Sequence, residues 1–222
     1  MSDLLLNVVV IVGTLILVAV IFMMTSRSKK RQGERIQSLA QARGWDYEPI
    51  RERLSSGYRL HGEGWTLEAL TWSSGHSPEP SQSDISQHTH LWSNAPGVPT
   101  GLVLIGPWSG KIPDLGGFGR MMMDKIIERY FGMVHADLQA VAAGSPEFQR
   151  KYKIFAQNPK DGTAILSLGV EQALIKWNNP LPVIKISAQE MRIEVEGKHY
   201  KTEPDILALT GLAEKIISYW EK

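Results

Sequence analysis

The 222-residue sequence contains no cysteine. This absence excludes disulfides, thiolate metal sites and cysteine nucleophiles, and it is consistent with a reducing compartment. Internal repeats are also lacking, because no period of 20–50 residues recurs, and a solenoid is therefore excluded.

The part of the chain that should fold also lacks an excess of basic charge. Of 24 basic and 23 acidic residues, five basic and two acidic ones lie in residues 1–35. Residues 36–222 therefore carry 19 basic and 21 acidic residues, a net charge of −2. Nucleic-acid-binding domains normally show a broad basic surface. The sequence therefore predicts no nucleic-acid partner.

Familiar nucleotide-binding and catalytic motifs are missing as well. The segment 106–111 has three residues between its glycines, and Ile112 follows its lysine, whereas a P-loop needs four residues and then Ser or Thr. The glycine run at 116–119 lacks the spacing and context of a dinucleotide-binding turn. A G-x-S-x-G nucleophile elbow is absent too. The sequence therefore predicts no cofactor and identifies no catalytic residue.

What the sequence does contain is one long apolar run, Leu4–Met24, without a charged residue. As a helix with a rise of about 1.5 Å per residue, the run reaches roughly 31 Å, close to the hydrocarbon thickness of a bilayer. It is apolar on all sides, whereas a helix in a soluble core normally shows a polar stripe. We therefore expect one transmembrane anchor over residues 1–25.

A basic collar over residues 26–35 follows this run directly. Its basic residues are Arg27, Lys29, Lys30, Arg31 and Arg35. The sequence has no initial basic region and no small-residue cleavage site, which argues against a removed secretory signal. Basic residues beside a span stay on the cytoplasmic side. We expect a single-pass membrane protein with its N-terminus outside, its folded domain in the cytoplasm, and its collar on anionic membrane lipid.

The residues after the collar predict an α+β domain with a mainly antiparallel sheet and helices packed on it. Short apolar or alternating segments predict strands at 45–48, 58–61, 65–72, 88–93, 102–105, 152–156, 182–187 and 191–196. The segment 137–141 fits a strand or a helix, and we favour the strand. Strands that come in runs with tight turns, rather than in alternation with helices, indicate this fold class. We place a division near Gly144, between a strand-rich half (36–143) and a half with the order strand, helix, strand, strand, helix (144–222).

Glycine, proline and capping residues predict the turns, loops and helix ends. Gly62–Gly64 predicts a hairpin turn, and the compositions of 73–87 and 106–119 predict loops. Helices are expected to end at Gly44, to occupy 121–132, to run from Pro159 towards Trp177 with a break near Gly169, and to begin after Thr202.

One segment carries a resemblance. Ser145–Trp177 contains Ser-Pro-Glu-Phe, then Tyr-Lys-Ile-Phe-Ala, then Asn-Pro and an Ile-Leu pair before a short helix. In this it resembles bacterial inner-membrane proteins that join N-terminal membrane segments to a domain of unknown function. The resemblance implies a bacterial inner-membrane setting and supplies no catalytic residues.

The segment His88-Thr89-His90 places two imidazoles on one face of a strand, because side chains alternate with a period of two. Two imidazoles suit a metal, but zinc needs at least a third ligand, and neither an H-x-E nor a C-x-x-C motif is nearby. We therefore expect no metal, with Thr89 and Leu91 facing the core and the histidines facing solvent.

Five of the seven tryptophans lie in the strand-rich half, at positions 45, 65, 72, 92 and 108. Packing of large aromatic rings in the sheet is one explanation. The other is a binding groove for a peptide or lipid, lined by Trp72, His88, His90 and Trp92. Two functions stay open. The preferred hypothesis is a non-catalytic binding or scaffold module with a protein or lipid partner, and the alternative is a membrane-tethered hydrolase that uses residues 73–93.

Overall fold

The computed structural model describes residues 2–73, 85–94, 101–107, 138–166, 168–178 and 180–220. Five helices lie in these ranges: α1 (Ser2–Arg43), α2 (Pro146–Lys151), α3 (Pro159–Ala164), α4 (Leu168–Ile175) and α5 (Glu203–Trp220). The strands are β1 (Asp46–Arg51), β2 (Ser55–Gly62), β3 (Trp65–Ser73), β4 (Ile85–Ser93), β5 (Val103–Pro107), β6 (Gln139–Val141), β7 (Tyr152–Ala156), β8 (Val183–Ile186) and β9 (Met191–Glu196).

All nine strands belong to one sheet, in the order β1-β2-β3-β4-β9-β8-β5-β7-β6. Every neighbouring pair is antiparallel. The α+β class with a mainly antiparallel sheet is therefore confirmed. Strands from both sides of residue 144 share the sheet, since β4 pairs with β9 and β5 lies between β7 and β8. The proposed division into halves stays a prediction.

One face of the sheet carries the hydrophobic core. Side chains that alternate along the strands are buried on this face, for example Leu67 and Ala69 on β3. The last turns of α1 and one face of α5 pack onto the same core through Ile36, Leu39, Ala40, Ile206, Leu209, Leu212, Ala213 and Ile216. Burial of each large aliphatic side chain contributes about 1.5–3 kcal/mol. The end of α1 is therefore fixed to the folded body.

Local sequence signals account for several element ends, as predicted. Gly44 (φ +70°) ends α1, and Gly64 (φ +75°) completes the two-residue turn between β2 and β3. Both positions need the left-handed backbone that glycine adopts freely. Asn158 caps α3, which opens with a proline. At the start of α5, Thr202 Oγ1 accepts a hydrogen bond from the backbone N–H of Asp205 and donates one to the Asp205 side chain.

Other predictions are wrong in detail. β4 begins at Ile85, inside the loop expected over 73–87, and β5 continues to Pro107, inside the loop expected over 106–119. Pairing with neighbouring strands extends both, because cross-strand contacts outweigh weak local patterns. The break predicted near Gly169 is confirmed, since α3 ends at Ala164 and α4 begins at Leu168, although Gly169 itself lies in the first turn of α4. The helix expected over 121–132 lies outside the described residues.

The predicted anchor and collar both belong to the continuous helix α1. Large apolar side chains between residues 16 and 24 are 48% to 74% exposed, among them Phe22 at 74%. Among the residues that the structure describes, no helix combines the length and the hydropathy required to cross a membrane.

Candidate functional site

The face of the sheet opposite the core carries four aromatic rings in one line, which we call the aromatic row. It runs from Trp72 on β3 to His88, His90 and Trp92 on β4. Successive ring centroids are 6.2, 5.9 and 4.9 Å apart, and the rings are inclined by only 25° to 31°. The structure therefore brings all four predicted ligand-binding residues together. That they bind a ligand stays a prediction.

Strand alternation explains the alignment of three of these rings. Thr89 and Leu91 are fully buried on the core face, as the sequence predicts, so residues 88, 90 and 92 share the other face. The histidines are half-buried rather than fully exposed to solvent. Trp72 joins them from the neighbouring strand and is 46% exposed.

Polar side chains on β3 and β9 lie on both sides of the row. On β3, Glu68 is opposite His90. On β9, Glu194 is opposite His90, Glu196 is opposite His88 and Arg192 is opposite Trp92. The middle of the row is therefore bordered by carboxylates on both neighbouring strands.

The carboxylate on β3, that of Glu68, contacts His90 on one neighbouring strand and Arg59 on the other. The Glu68 side chain is 10% exposed, and its Oε1 lies 3.3 Å from His90 Nε2. Arg59 donates from Nε to Glu68 Oε2 at 3.0 Å, and its Nη2 also bonds this oxygen. Arg59 Nη1 donates to Glu48 Oε2 at 3.0 Å. The hydrogen bond to Glu68 is the main cause that raises the pKa of Arg59, so the buried carboxylate has a permanent cation beside it.

The surroundings of His90 favour the neutral form of its ring. Burial is the largest effect on its pKa and lowers it; the carboxylate of Glu68 acts against burial, and the nearby His88, Arg192 and Arg59 act with it. Because Nε2 faces a carboxylate, we assign the proton of the neutral ring to Nε2. His90 therefore stands in the middle of the row with one ring nitrogen directed at Glu68 and with its neutral form favoured by burial.

The carboxylates on β9 border a shallow pocket of about 650 Å³ beside the row. Its described lining includes His88, His90, Arg192, Glu194 and Glu196. Burial raises the pKa of Glu194; Arg192, 3.6 Å away, lowers it, and Glu196 raises it again. Two carboxylates two residues apart on one strand face the same side, so this end of the pocket favours a cation.

Other chemistry near the row is limited in the described residues. No group of three or more His, Asp or Glu side chains that could hold a metal ion is found there. Hydroxyl–imidazole contacts occur at His61 with Thr66 (3.1 Å), next to the Trp92 end of the row because Thr66 is opposite Trp92, and at His199 with Thr71 (2.7 Å).

The sequence patterns do not indicate Glu68, Glu194 or Glu196 as site residues. One signal was available: Glu68 interrupts the apolar segment 65–72, and a charge inside such a strand is unusual without a partner. The partner, Arg59, is opposite Glu68 on β2, and this register could not be read from the sequence.

The basic residues of the collar lie along α1. Lys30 Nζ is 4.0 Å from Glu34 one turn later, and its side chain is 80% exposed. Arg27, Arg31 and Arg35 are exposed as well. Their contact with membrane lipid stays a prediction.

Comparison with known proteins adds one likeness. No protein-family model matches the sequence, and neither does any curated protein. The crystal structure of the mycobacterial trehalose monomycolate transport factor A, TtfA, is similar over 85% of this chain and 91% of its own chain. The two share 9% sequence identity with a TM-score of 0.45. At that score the likeness supports no inference about function.

Proposed function

We propose that this chain is a single-pass, bacterial inner-membrane protein that binds a partner protein through the aromatic row and catalyses nothing. The observation that carries the binding proposal is the continuous row itself. Trp72 at one end is 46% exposed, and exposed aromatic rings aligned on a rigid sheet are typical of binding surfaces.

The chemistry around the row favours a partner segment with a basic residue between apolar ones. Aromatic rings attract a Lys or Arg side chain over their faces, at about 0.5–2 kcal/mol. Glu194 and Glu196 place carboxylates beside the same rings. A bound cation would also offset the burial of Glu194 and return its pKa towards the ordinary range.

The position of α1 favours a protein partner over the bilayer. The last turns of α1 pack on the core face, through Ile36, Leu39 and Ala40. The aromatic row lies on the opposite face of the sheet. The proposed anchor and the proposed binding surface therefore belong to different sides of the domain.

The membrane part of the proposal is supported by the uncharged run Leu4–Met24 and by its place inside one continuous helix. It is tested by extraction and by fusion. The full chain should need detergent for release from bacterial membranes. A reporter that is active only in the cytoplasm should be active when fused after Lys222. Release by buffer alone, with the first 24 residues intact, would contradict the anchor, and activity of a periplasm-only reporter would contradict the orientation.

The binding part is tested by photo-crosslinking in native membranes. A photoreactive amino acid replaces Trp72 or Trp92, and replacement of Leu54, which is 53% exposed between β1 and β2, serves as the control. We expect one protein adduct from positions 72 and 92, none from position 54, and loss of that adduct when Glu194→Lys is added. Equal adducts from all three positions would contradict binding at the row.

One observation favours a second function, a membrane-tethered hydrolase. A neutral imidazole held by a carboxylate, as in the pair His90 and Glu68, is the usual arrangement of a general base. This hypothesis predicts turnover of ester or phosphoester substrates that is lost in His90→Ala. Absence of turnover of these substrates by the wild-type chain, or equal turnover in His90→Ala, would eliminate it.

A further inference from the structure

A groove between α1 and the segment before α5 concentrates positive charge. Two adjoining hollows, of about 610 and 940 Å³, are both lined by Arg31, Arg35 and Lys201. Arg27 also lines the smaller hollow. We call these four residues the basic groove. Arg27, Arg31 and Arg35 are spaced by four residues, so they lie along one face of the helix. Lys201 comes from a distant part of the chain, and its presence distinguishes this groove from a simple charged collar.

None of the four cations of the basic groove forms an ion pair within 4 Å with an acidic side chain among the described residues. The larger hollow also contains Glu34 and Glu203, whereas the described lining of the smaller one contains no acid. Four like charges close together repel one another, and an anion bound between them would remove that repulsion.

The position of Lys201 is fixed by the residues before it. Thr89 Oγ1 donates to the carbonyl of Lys198 at 2.9 Å and accepts from the backbone N–H of Tyr200 at 3.1 Å. Tyr58 donates its hydroxyl to the carbonyl of Tyr200 at 2.8 Å. The other side of the groove is fixed too, because Ile36 on α1 is buried in the core. The two backbone segments that carry the cations are therefore fixed before any ligand arrives, so that only the side chains have to be ordered on binding.

The remaining lining of the smaller hollow fits a phospholipid headgroup. Met24, the last residue of the apolar run, lies at this hollow together with Ser28 and Gln32. An acyl chain can contact Met24 while hydroxyl and amide groups bond the glycerol, and guanidinium groups are the preferred partners of phosphate oxygens.

We propose that the basic groove binds one phosphate group, and that its source is the headgroup of an anionic phospholipid. The lipid source depends on the membrane anchoring proposed above, whereas the phosphate site itself does not. Through Lys201, the folded domain as well as the collar then contacts the lipid headgroup.

The test uses the full chain in a neutral detergent. Binding of dihexanoyl phosphatidylglycerol, dihexanoyl phosphatidylcholine and inorganic phosphate is measured by titration calorimetry. We expect saturable one-to-one binding of phosphatidylglycerol and weaker binding of phosphatidylcholine. Lys201→Gln should weaken phosphatidylglycerol binding about tenfold, because a charge-assisted bond to phosphate is lost.

Lys30→Gln is the matched control. It removes one positive charge from the same collar, but Lys30 is absent from the described lining of the groove and lies beside Glu34. We expect less than about a twofold change, since an exposed charge near a surface acts only weakly and through screening. Equal weakening by Lys30→Gln and Lys201→Gln would overturn the groove and leave only diffuse attraction. Unchanged melting curves by circular dichroism would show that both variants fold.

The titrations with phosphatidylglycerol and with inorganic phosphate also distinguish a lipid headgroup from free phosphate as the ligand. Phosphatidylglycerol binding that exceeds inorganic phosphate binding supports the lipid source. Equal binding of both, with the same loss in Lys201→Gln, supports the phosphate site and overturns the lipid source. Absence of saturable binding by either probe overturns the site even if the protein proves to be membrane-anchored. Saturable binding by a protein that buffer alone releases would support the site while contradicting the anchor.

Discussion

Arg59 allows a comparison between two ion pairs made by the same guanidinium group. Nη1 bonds Glu48, whose side chain is 55% exposed, and Nε and Nη2 bond Glu68, whose side chain is 10% exposed. We predict that Glu68→Gln lowers the free energy of unfolding by about 2 kcal/mol, whereas Glu48→Gln lowers it by less than about 1 kcal/mol.

The difference follows from burial. Water competes for the exposed carboxylate of Glu48, so this pair contributes about 0–1 kcal/mol. Breaking a fully buried pair costs about 3–5 kcal/mol, because the remaining charge stays without a partner. Glu68 is buried, but Arg59 is 33% exposed and can recover part of its hydration. The expected cost therefore lies between these limits.

The assay is urea unfolding of the full chain in detergent, with tryptophan fluorescence as the signal that monitors unfolding. The set comprises the wild type, Glu48→Gln, Glu68→Gln, Arg59→Met and the double variant Arg59→Met/Glu68→Gln. The double-mutant cycle should give a coupling energy of about 1.5–2 kcal/mol between Arg59 and Glu68. Equal costs for the two glutamate variants, or a coupling energy below about 0.5 kcal/mol, would refute the view that burial decides the strength of these pairs.

Three further predictions concern the fold. Gly57→Ala should lower the free energy of unfolding by more than about 2 kcal/mol, because the new Cβ would lie 1.9 Å from the carbonyl oxygen of Ala69. Gly211→Ala should raise the free energy of unfolding by about 0.5–1 kcal/mol, because the new Cβ would meet no atom within 4 Å and alanine favours the helix. Urea unfolding measures both changes. Burial lowers the pKa of His199 to about 4, so the stability it contributes is complete above about pH 6.5 and is lost as pH falls towards 4, by about 2 kcal/mol after allowance for its partial exposure. Melting temperatures of the wild type should therefore fall more steeply over this range than those of His199→Gln, and parallel curves would contradict the assignment. Thr89→Val should lower the free energy of unfolding by about 1–3 kcal/mol and weaken phosphatidylglycerol binding, because the hydrogen bonds to residues 198 and 200 are lost. Thr89→Ser keeps the hydroxyl and should leave both the stability and the binding unchanged.

The aromatic row could be predicted in part because one side of it depends only on local geometry. Residues 88, 90 and 92 share a face in any extended strand, and the neighbouring Thr89 is then directed to the core. That Trp72 extends the row depends on the pairing of β3 with β4, in which Trp72 is opposite Ser86. The residues from 73 to 87 predict only a loop by their composition, and that composition does not determine how β3 and β4 pair.

The charged parts of both proposed sites depend on contacts between distant residues. Arg59 and Glu68 meet across a strand pair, and β4 meets β9 although more than ninety residues separate them. Lys201 reaches the basic groove because the core fixes the end of α1 beside the segment that precedes α5. Hydrophobic periodicity identifies which faces are buried, but it does not determine which buried faces meet.

Thr89 shows how the two proposed sites depend on the same strand. Its neighbours His88 and His90 stand in the aromatic row, and its own side chain points to the other face of the sheet. There its hydroxyl bonds both the carbonyl of Lys198 and the amide of Tyr200, just before the lysine of the basic groove. A buried hydroxyl that makes both bonds cannot shift without leaving polar groups unpaired, which costs about 1–3 kcal/mol. The strand that presents the row therefore also fixes the segment that reaches α1, so the binding face keeps a constant position relative to the proposed anchor.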